Sequence, residues 1–251
     1  MSGTICITGA SSGFGESCAR RFIKEGKKMI LLARRLERLK QLQEELGRSD
    51  HIYIARLDVR NKNAVKSVFE NLPKEFEEIE LLINNAGLAL GLESAPEANL
   101  DDWETMIDTN IKGLIYCTRQ ILPGMVHRKK GYIINIGSTA ANWPYPGGNV
   151  YGATKSFVQQ FSRNLRADLL GTGIRVTDIE PGLAETEFSI VRFKGDENRA
   201  SKVYQGTQPL TGKDIADIAW WLFHLPPHVN VNTLEVMPTC QAWGPLAIER
   251  K

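Results

Sequence analysis

Cysteine is scarce in this chain of 251 residues. Cys6, Cys18, Cys117 and Cys240 lie far apart with no Cys-x-x-Cys pair, which argues against both a structural zinc site and a disulfide framework. A reducing compartment is expected. No apolar run approaches the roughly 20 residues of a bilayer-crossing helix, and Met1 runs almost directly into the apolar stretch "TICIT". An excess of one charge is also missing. The 31 basic residues face 29 acidic ones and are interspersed with them, so nucleic acid is a poor expectation for the partner. No Pro/Gly/Ser-rich linker and no internal repeat divides the chain. These absences leave a soluble, cytoplasmic, globular protein of one domain without a metal site, and 42% apolar content supplies its core.

What is present is alternation. Short apolar runs rich in β-branched residues occur at 4–8, 28–33, 52–57, 81–84, 132–137, 174–179 and 232–236. Between them, residues such as Phe14, Cys18 and Phe22, or Leu36, Leu39, Leu42 and Leu46, recur at helical spacing. Strand and helix repeated in this way predict an α/β fold, a doubly wound parallel sheet of seven strands with helices on both faces. The segment at about 180–210 has no clear period and exceeds an ordinary connection. It reads as a substrate lid or a mobile surface excursion.

The first strand ends in "TGASSGFGE", where Gly9, Gly13 and Gly15 lead into a helix. Glycines there let backbone approach a pyrophosphate, and the helix start meets its charge. The spacing is T-G-x3-G-x-G rather than G-x-G-x2-G, and by itself it also fits an ordinary turn. At the end of the second strand an NAD-binding protein carries Asp or Glu for the ribose hydroxyls. This chain has Ala33 followed by Arg34 and Arg35, and guanidinium groups suit a dianionic 2′-phosphate. NADP(H) is therefore the expected cofactor. The alternative for either arginine is a place on the face of the next helix.

In "NVYGATKSF", Tyr151 and Lys155 are four positions apart at the start of a predicted helix, hence on one face. A free tyrosine ionises near pH 10, and a lysine one turn away favours the phenolate. Tyr151 then becomes a proton donor and acceptor.

Several motifs now fall in order: "TGASSGFG", Asp58-Val59, "NNAG" at 84–87, Asn110 in "DTNIKG", Ser138 in "NIGS", "YGATK", and "PGLAET" at 181–186. With them the chain resembles the short-chain dehydrogenase/reductase family along nearly its whole length. The resemblance implies a Rossmann fold with a cofactor half at about 1–140, a substrate loop at about 180–210 and a tail at about 237–251. It implies that Thr8, Gly9, Ser11, Ser12, Gly13, Phe14 and Gly15 cradle the cofactor. Asp58 and Val59 would flank the adenine, Asn84 and the following turn of Asn85, Ala86 and Gly87 would line the cofactor, and Pro181, Gly182, Leu183 and Thr186 would cover the nicotinamide. Tyr151 would exchange the proton, Ser138 would hydrogen-bond the reacting oxygen, Lys155 would bind ribose, and Asn110 would hold a relay water. A homotetramer is implied as well.

More narrowly, "NNAGLALG", "DDWETMIDTNIKGL", "WPYPGGNVYGATK", "FSIVRFKGD" and "NTLEVMP" resemble the NADP-dependent 3-hydroxy acid dehydrogenases, which act on serine or allo-threonine, and the related sulfoacetaldehyde reductases. The expected substrate is small and anionic. Trp143, Pro144, Tyr145 and Pro146 would wall its pocket, with Tyr145 adding a hydroxyl. Arg192 would grip a carboxylate or sulfonate through two parallel hydrogen bonds, Lys194 being the alternative. Trp243, Leu246 and Ile248 would close this pocket or pack on a neighbouring subunit. A noncatalytic NADP-binding sensor and a broad carbonyl-scavenging reductase are the competing readings.

Overall fold

The computed structural model describes residues 3–244 and 248–250; Leu246 lies outside them. Seven strands, β1 (Thr4–Thr8), β2 (Met29–Ala33), β3 (Ile52–Arg56), β4 (Ile79–Asn84), β5 (Gly131–Ile136), β6 (Ile174–Pro181) and β7 (Thr233–Val236), form one sheet. Its order is β3-β2-β1-β4-β5-β6-β7, and each adjacent pair is parallel. Each apolar run of the sequence thus supplies a strand. The boundaries differ mainly at β4, which starts at Ile79 rather than Leu81, and at β6, which continues through Glu180 to Pro181.

Parallel strands covered on both faces need apolar side chains on both, and β1, β2 and β5 are buried at every position. Alternation then makes two cores. Ile5, Ile7, Met29, Leu31 and Ile83 meet α1 (Gly13–Phe22), α2 (Leu36–Leu46) and α9 (Gly212–His224) through Phe22, Leu39 and Leu222. Cys6, Ile30, Leu82 and Ile133 meet α3 (Lys62–Glu70), α5 (Leu114–Arg128) and α6 (Asn149–Asp168) through Val65, Cys117, Ile121 and Leu165. Three of the four cysteines, Cys6, Cys18 and Cys117, are fully buried core side chains. No helix among the described residues is long and apolar enough to cross a membrane.

Polar residues interrupt the second core between β4 and β5. Asn84 donates to Thr118 Oγ1 and to Asn135 Oδ1, both at 2.9 Å, and Asn135 donates to Ser162 Oγ at 2.8 Å. Asn84 is therefore buried within the sheet and does not line the cleft, contrary to expectation: as the last residue of β4 its side chain faces α5, and the chain turns toward the cleft only at Asn85. The segment at 180–210 is also more ordered than its lack of period implies. It holds two short helices, α7 (Phe188–Arg192) and α8 (Glu197–Tyr204). Between α4 (Leu100–Ile107) and α5 lies a π-helical stretch, Asp108–Gly113. Strand order reverses between β1 and β4, the place where open sheets of this kind leave a crevice.

Candidate active site

That crevice is a cleft of about 550 Å3, lined by residues that follow the carboxyl ends of β1 to β6. Its floor is built by close approach. Gly9 adopts φ +68°, and a Cβ there would stand 2.9 Å from Ala86 Cα. Thr8 Oγ1 accepts hydrogen bonds from the Asn85 and Ala86 N–H groups at 3.1 and 3.0 Å, locking the turn after β4 onto the turn after β1. Gly9→Ala therefore combines a disfavoured φ with a clash, and it should cost about 1–3 kcal/mol of stability in chemical denaturation. A loss below that range would mean the turns can part.

Ser12 precedes α1 but makes no side-chain cap. Its hydroxyl accepts instead from Arg35 Nη2 at 2.7 Å, while Arg35 Nε donates to Ser11 Oγ at 3.3 Å. Gly13 and Phe14 line the cleft, so the helix start and its unsatisfied N–H groups face it. Arg34 and Arg35 stand on the same wall with Asp58, whose carboxyl is held below its usual range by hydrogen bonds from Arg60. Arg35 also donates to Glu187 at 2.8 Å, and Arg38 pairs with the other oxygen of that carboxylate. A turn that brings backbone, an open helix start and two guanidinium groups to one wall fits a dinucleotide with a 2′-phosphate.

Deeper in the cleft, α6 presents Tyr151 and Lys155 one turn apart, and the turn after β5 presents Ser138. The Ser138 hydroxyl accepts from the Ala140 N–H at 3.1 Å, and Ser138 and Tyr151 line the same part of the cleft. Lys155 Nζ donates to the Ile136 carbonyl at 2.7 Å and lies 5.8 Å from the Tyr151 ring centre. Burial lowers the Lys155 ammonium to about 8, opposed by Asp178. The same burial raises the Tyr151 phenol above its ordinary value, and Arg192 and Ser138 pull it back. The expectation that Lys155 depresses Tyr151 is thus corrected: desolvation outweighs the charges, and the cation opposing it is Arg192 on α7.

Arg192 lies over both tyrosines. Its guanidinium carbon is 5.1 Å from the Tyr151 ring centre, and Nη2 donates to Tyr145 Oη at 2.7 Å. Its Nε is buried with no hydrogen-bond partner among the described residues. Lys194 is not in the cleft, because it pairs with Asp102 at 2.7 Å. Of the bulky run 143–146 only Tyr145 lines the cleft; Trp143 stacks edge-on with Trp243, ring centres 6.3 Å apart. The tail folds onto its own chain here: Gln241 Oε1 accepts from the Leu183 N–H at 2.7 Å, and Gln241 and Ile248 pair across a bridge and both line the cleft.

Residues 3–197 match the family model described as short chain dehydrogenase. The chain belongs to that family. A relative from Escherichia coli named NADP-dependent 3-hydroxy acid dehydrogenase YdfG is 59% identical over 98% of this chain and 99% of its own. A protein of Chromohalobacter salexigens named sulfoacetaldehyde reductase 2 is 52% identical over the whole of both chains. Among solved structures, the closed form of a serine dehydrogenase complexed with NADP+ superposes with a TM-score of 0.94 at 59% identity, covering 99% of this chain and 100% of that one.

Within this short-chain dehydrogenase, three expected site residues besides Asn84 stand behind the cleft wall. Thr8 locks two turns together, Gly15 packs so closely that a Cβ would meet the Gly9 carbonyl at 2.5 Å, and Asn110 is 2% exposed. Asn110 accepts from the Leu88 N–H at 2.9 Å and donates to the Leu88 carbonyl at 2.8 Å and Thr154 Oγ1 at 3.0 Å. Both amide N–H groups are engaged and Oδ1 accepts one bond, so Asn110 ties the loop that follows "NNAG" to α6. The remaining expected residues, Gly9, Ser11, Ser12, Gly13, Phe14, Asp58, Val59, Asn85, Ala86, Gly87, Pro181, Gly182, Leu183 and Thr186 among them, line the cleft. Glu187, Phe188, Tyr204 and Gln241 line it too and escaped the sequence. Glu187 directly follows "PGLAET", and an acid beside that motif was its one visible signal.

Proposed function

We infer that this short-chain dehydrogenase uses NADP(H) to interconvert a small 3-hydroxy acid, such as 3-hydroxypropionate, 3-hydroxyisobutyrate, serine or allo-threonine, and its 3-oxo acid or semialdehyde. The carrying observation is Arg192, a guanidinium with an unpartnered buried Nε beside the phenol of Tyr151. A cation held there receives a carboxylate and leaves the neighbouring carbon against Ser138 and Tyr151.

When bound, the reduced cofactor supplies the hydride. Arg34, Arg35 and the start of α1 hold its phosphates, Asp58 and Val59 flank the adenine, and Lys155 takes the ribose hydroxyls. Tyr151 donates its proton to the carbonyl oxygen in reduction and accepts the alcohol proton in oxidation. Ser138 donates to the same oxygen and stabilises charge as it develops. Because burial favours the neutral phenol, Tyr151 is charged with its proton at neutral pH and ready as an acid. The names of the two relatives agree with this chemistry, and a sulfonate makes nearly the same demand on Arg192 as a carboxylate. Reduction of sulfoacetaldehyde is for that reason the second reading.

NADPH oxidation with malonate semialdehyde, sulfoacetaldehyde and a neutral aldehyde of similar size separates these readings. Preference for malonate semialdehyde is the expected result, and preference for sulfoacetaldehyde transfers the protein to sulfonate chemistry. Cofactor binding without any turnover would favour the sensor. Arg192→Ala should raise KM for the anions about 10- to 100-fold, the worth of one charge-assisted contact, and change the neutral aldehyde by less than about threefold. A uniform loss would remove Arg192 from substrate recognition. The same reading carries a homotetramer in the cytoplasm; light scattering checks the assembly, and a monomer would end that part of it.

A further inference from the structure

Behind the proposed site lie two acids that the chemistry above does not use. Asp178 and Glu180 are 0% exposed, two positions apart on β6, and so point to one face of the sheet. That face is covered by α6: Gln159 Nε2 donates to Glu180 Oε1 at 2.8 Å, and Asn142 Nδ2 donates to Glu180 Oε2 at 2.8 Å. Asp178 has no such donors. Neither of its oxygens has a hydrogen-bond partner among the described residues, and it is pressed against the backbone that leads to Ser138, since a Cβ on Gly137 would stand 2.4 Å from Asp178 Oδ1. Lys155 of α6 reaches the same stretch through its bond to the Ile136 carbonyl.

Two carboxylates buried side by side on one face of a strand cannot both ionise cheaply, and a carboxylate oxygen only accepts. A single proton held between them resolves both problems, because a protonated Asp178 can donate to Glu180, its neighbour on the same face of β6. The pair then carries one negative charge opposite the one positive charge of Lys155, leaving the buried cluster neutral.

We propose that the Asp178–Glu180 pair shares one proton and serves as a positioning element for Lys155, giving up that proton in alkaline solution so that the ammonium keeps its charge and alcohol oxidation persists. The inference rests on the role given above to Lys155. On release the carboxyl O–H bond breaks, the proton passes to solvent, and two carboxylates remain facing one ammonium; no electrons move. Burial and the neighbouring Glu180 raise the Asp178 carboxyl to about 8, opposed by Lys155, and burial lowers Lys155 to about 8. The two groups thus titrate together, and the added negative charge on the pair raises the lysine as it forms. The other ionisable groups around the cluster are Tyr151 on α6, Arg192 beyond it on α7, and Glu235 on β7, which lies in register with Glu180 and accepts from the Trp143 and Trp243 indoles at 3.2 and 2.6 Å. The facing residues of β5 and the turn after it, Asn135, Ile136, Gly137, Ser138 and Asn142, carry no charge.

The test compares the wild type with Asp178→Asn and Glu180→Gln across the pH profile of alcohol oxidation. Both variants should lose the alkaline limb about one pH unit lower than the wild type, with rates near pH 7 within about threefold of it. A loss equal at every pH would mean a structural role only, and an unchanged profile would overturn the proposal. Titration of Lys155 by NMR in 13Cε-lysine protein, assigned with Lys155→Met, separates the two layers of argument. A lowered lysine titration without a moved profile would instead remove the role of Lys155; neither moving would remove the pair. Should both variants fail to fold, infrared difference spectra of the wild type between about pH 7 and pH 9.5 still decide. A protonated-carboxyl band that shifts in heavy water must disappear as the pH rises, and its absence at the lower pH would overturn the shared proton.

Discussion

Tyr151→Phe lowers turnover about a thousandfold, in both reduction and oxidation, while NADPH affinity stays within about threefold of the wild type. The substitution removes one oxygen and keeps the ring, whose centre lies 5.5 Å from that of Phe188 and which packs in a small core with Leu88, Met106 and Ala140. The fold therefore has no reason to change. Of the groups expected to hold the cofactor, Arg34, Arg35 and the start of α1 are untouched, and Lys155 keeps its bond to the Ile136 carbonyl. What is lost is the proton donor. Ser138 remains beside the reacting oxygen, but a serine hydroxyl is a far weaker acid than a phenol and cannot finish the transfer. The effect is read in single-turnover NADPH oxidation, with affinity measured separately by fluorescence titration. Activity within a tenth of the wild type would assign the acid elsewhere in the cleft.

This residue also marks where the sequence was informative and where it was not. Strand ends, the glycine turn and the four-residue spacing of Tyr151 and Lys155 are local patterns, so the fold could be read directly, whereas Asp58, Val59 and the run from Pro181 to Thr186 were legible only through resemblance to the family. Asn84 looked the same as its neighbours in "NNAG", and only the last position of β4 turns its side chain inward to Thr118 and Asn135. The helices α7 and α8 are five and eight residues long, too short to establish a period against the irregular chain around them. The direction of the Tyr151 shift is not legible in the sequence for a related reason. Spacing brings the two together, but desolvation is a property of the assembled site, and here it prevails over the mutual influence of the pair. Arg192 was legible as a type of residue; its hydroxyl partner, Tyr145, is 47 positions away. Glu187 pairs with Arg35 across 152 positions, and nothing local announces such a contact.

That last contact shapes the second large expected effect. Replacing Arg34 and Arg35 together with neutral residues should weaken NADPH binding about 100- to 1000-fold and NADH binding less than about threefold, since each charge-assisted hydrogen bond to a 2′-phosphate is worth about 1.5–3 kcal/mol. Equilibrium titration of both cofactors gives the ratio, and equal losses would refute the assignment. Arg35 has other work, however: it bonds Ser11 and Ser12 in the glycine turn and Glu187 at the start of α7. A loosened turn or a freed α7 would harm both cofactors alike, whereas a lost phosphate contact harms NADPH alone. Glu187→Gln distinguishes these effects, because it releases α7 and leaves both guanidinium groups in place. Its NADPH-to-NADH affinity ratio should stay near that of the wild type while the double arginine variant approaches parity. If Glu187→Gln collapsed the ratio by itself, preference for the phosphorylated cofactor would reside in the clasp between Glu187, Arg35 and Arg38 rather than in direct capture of the phosphate.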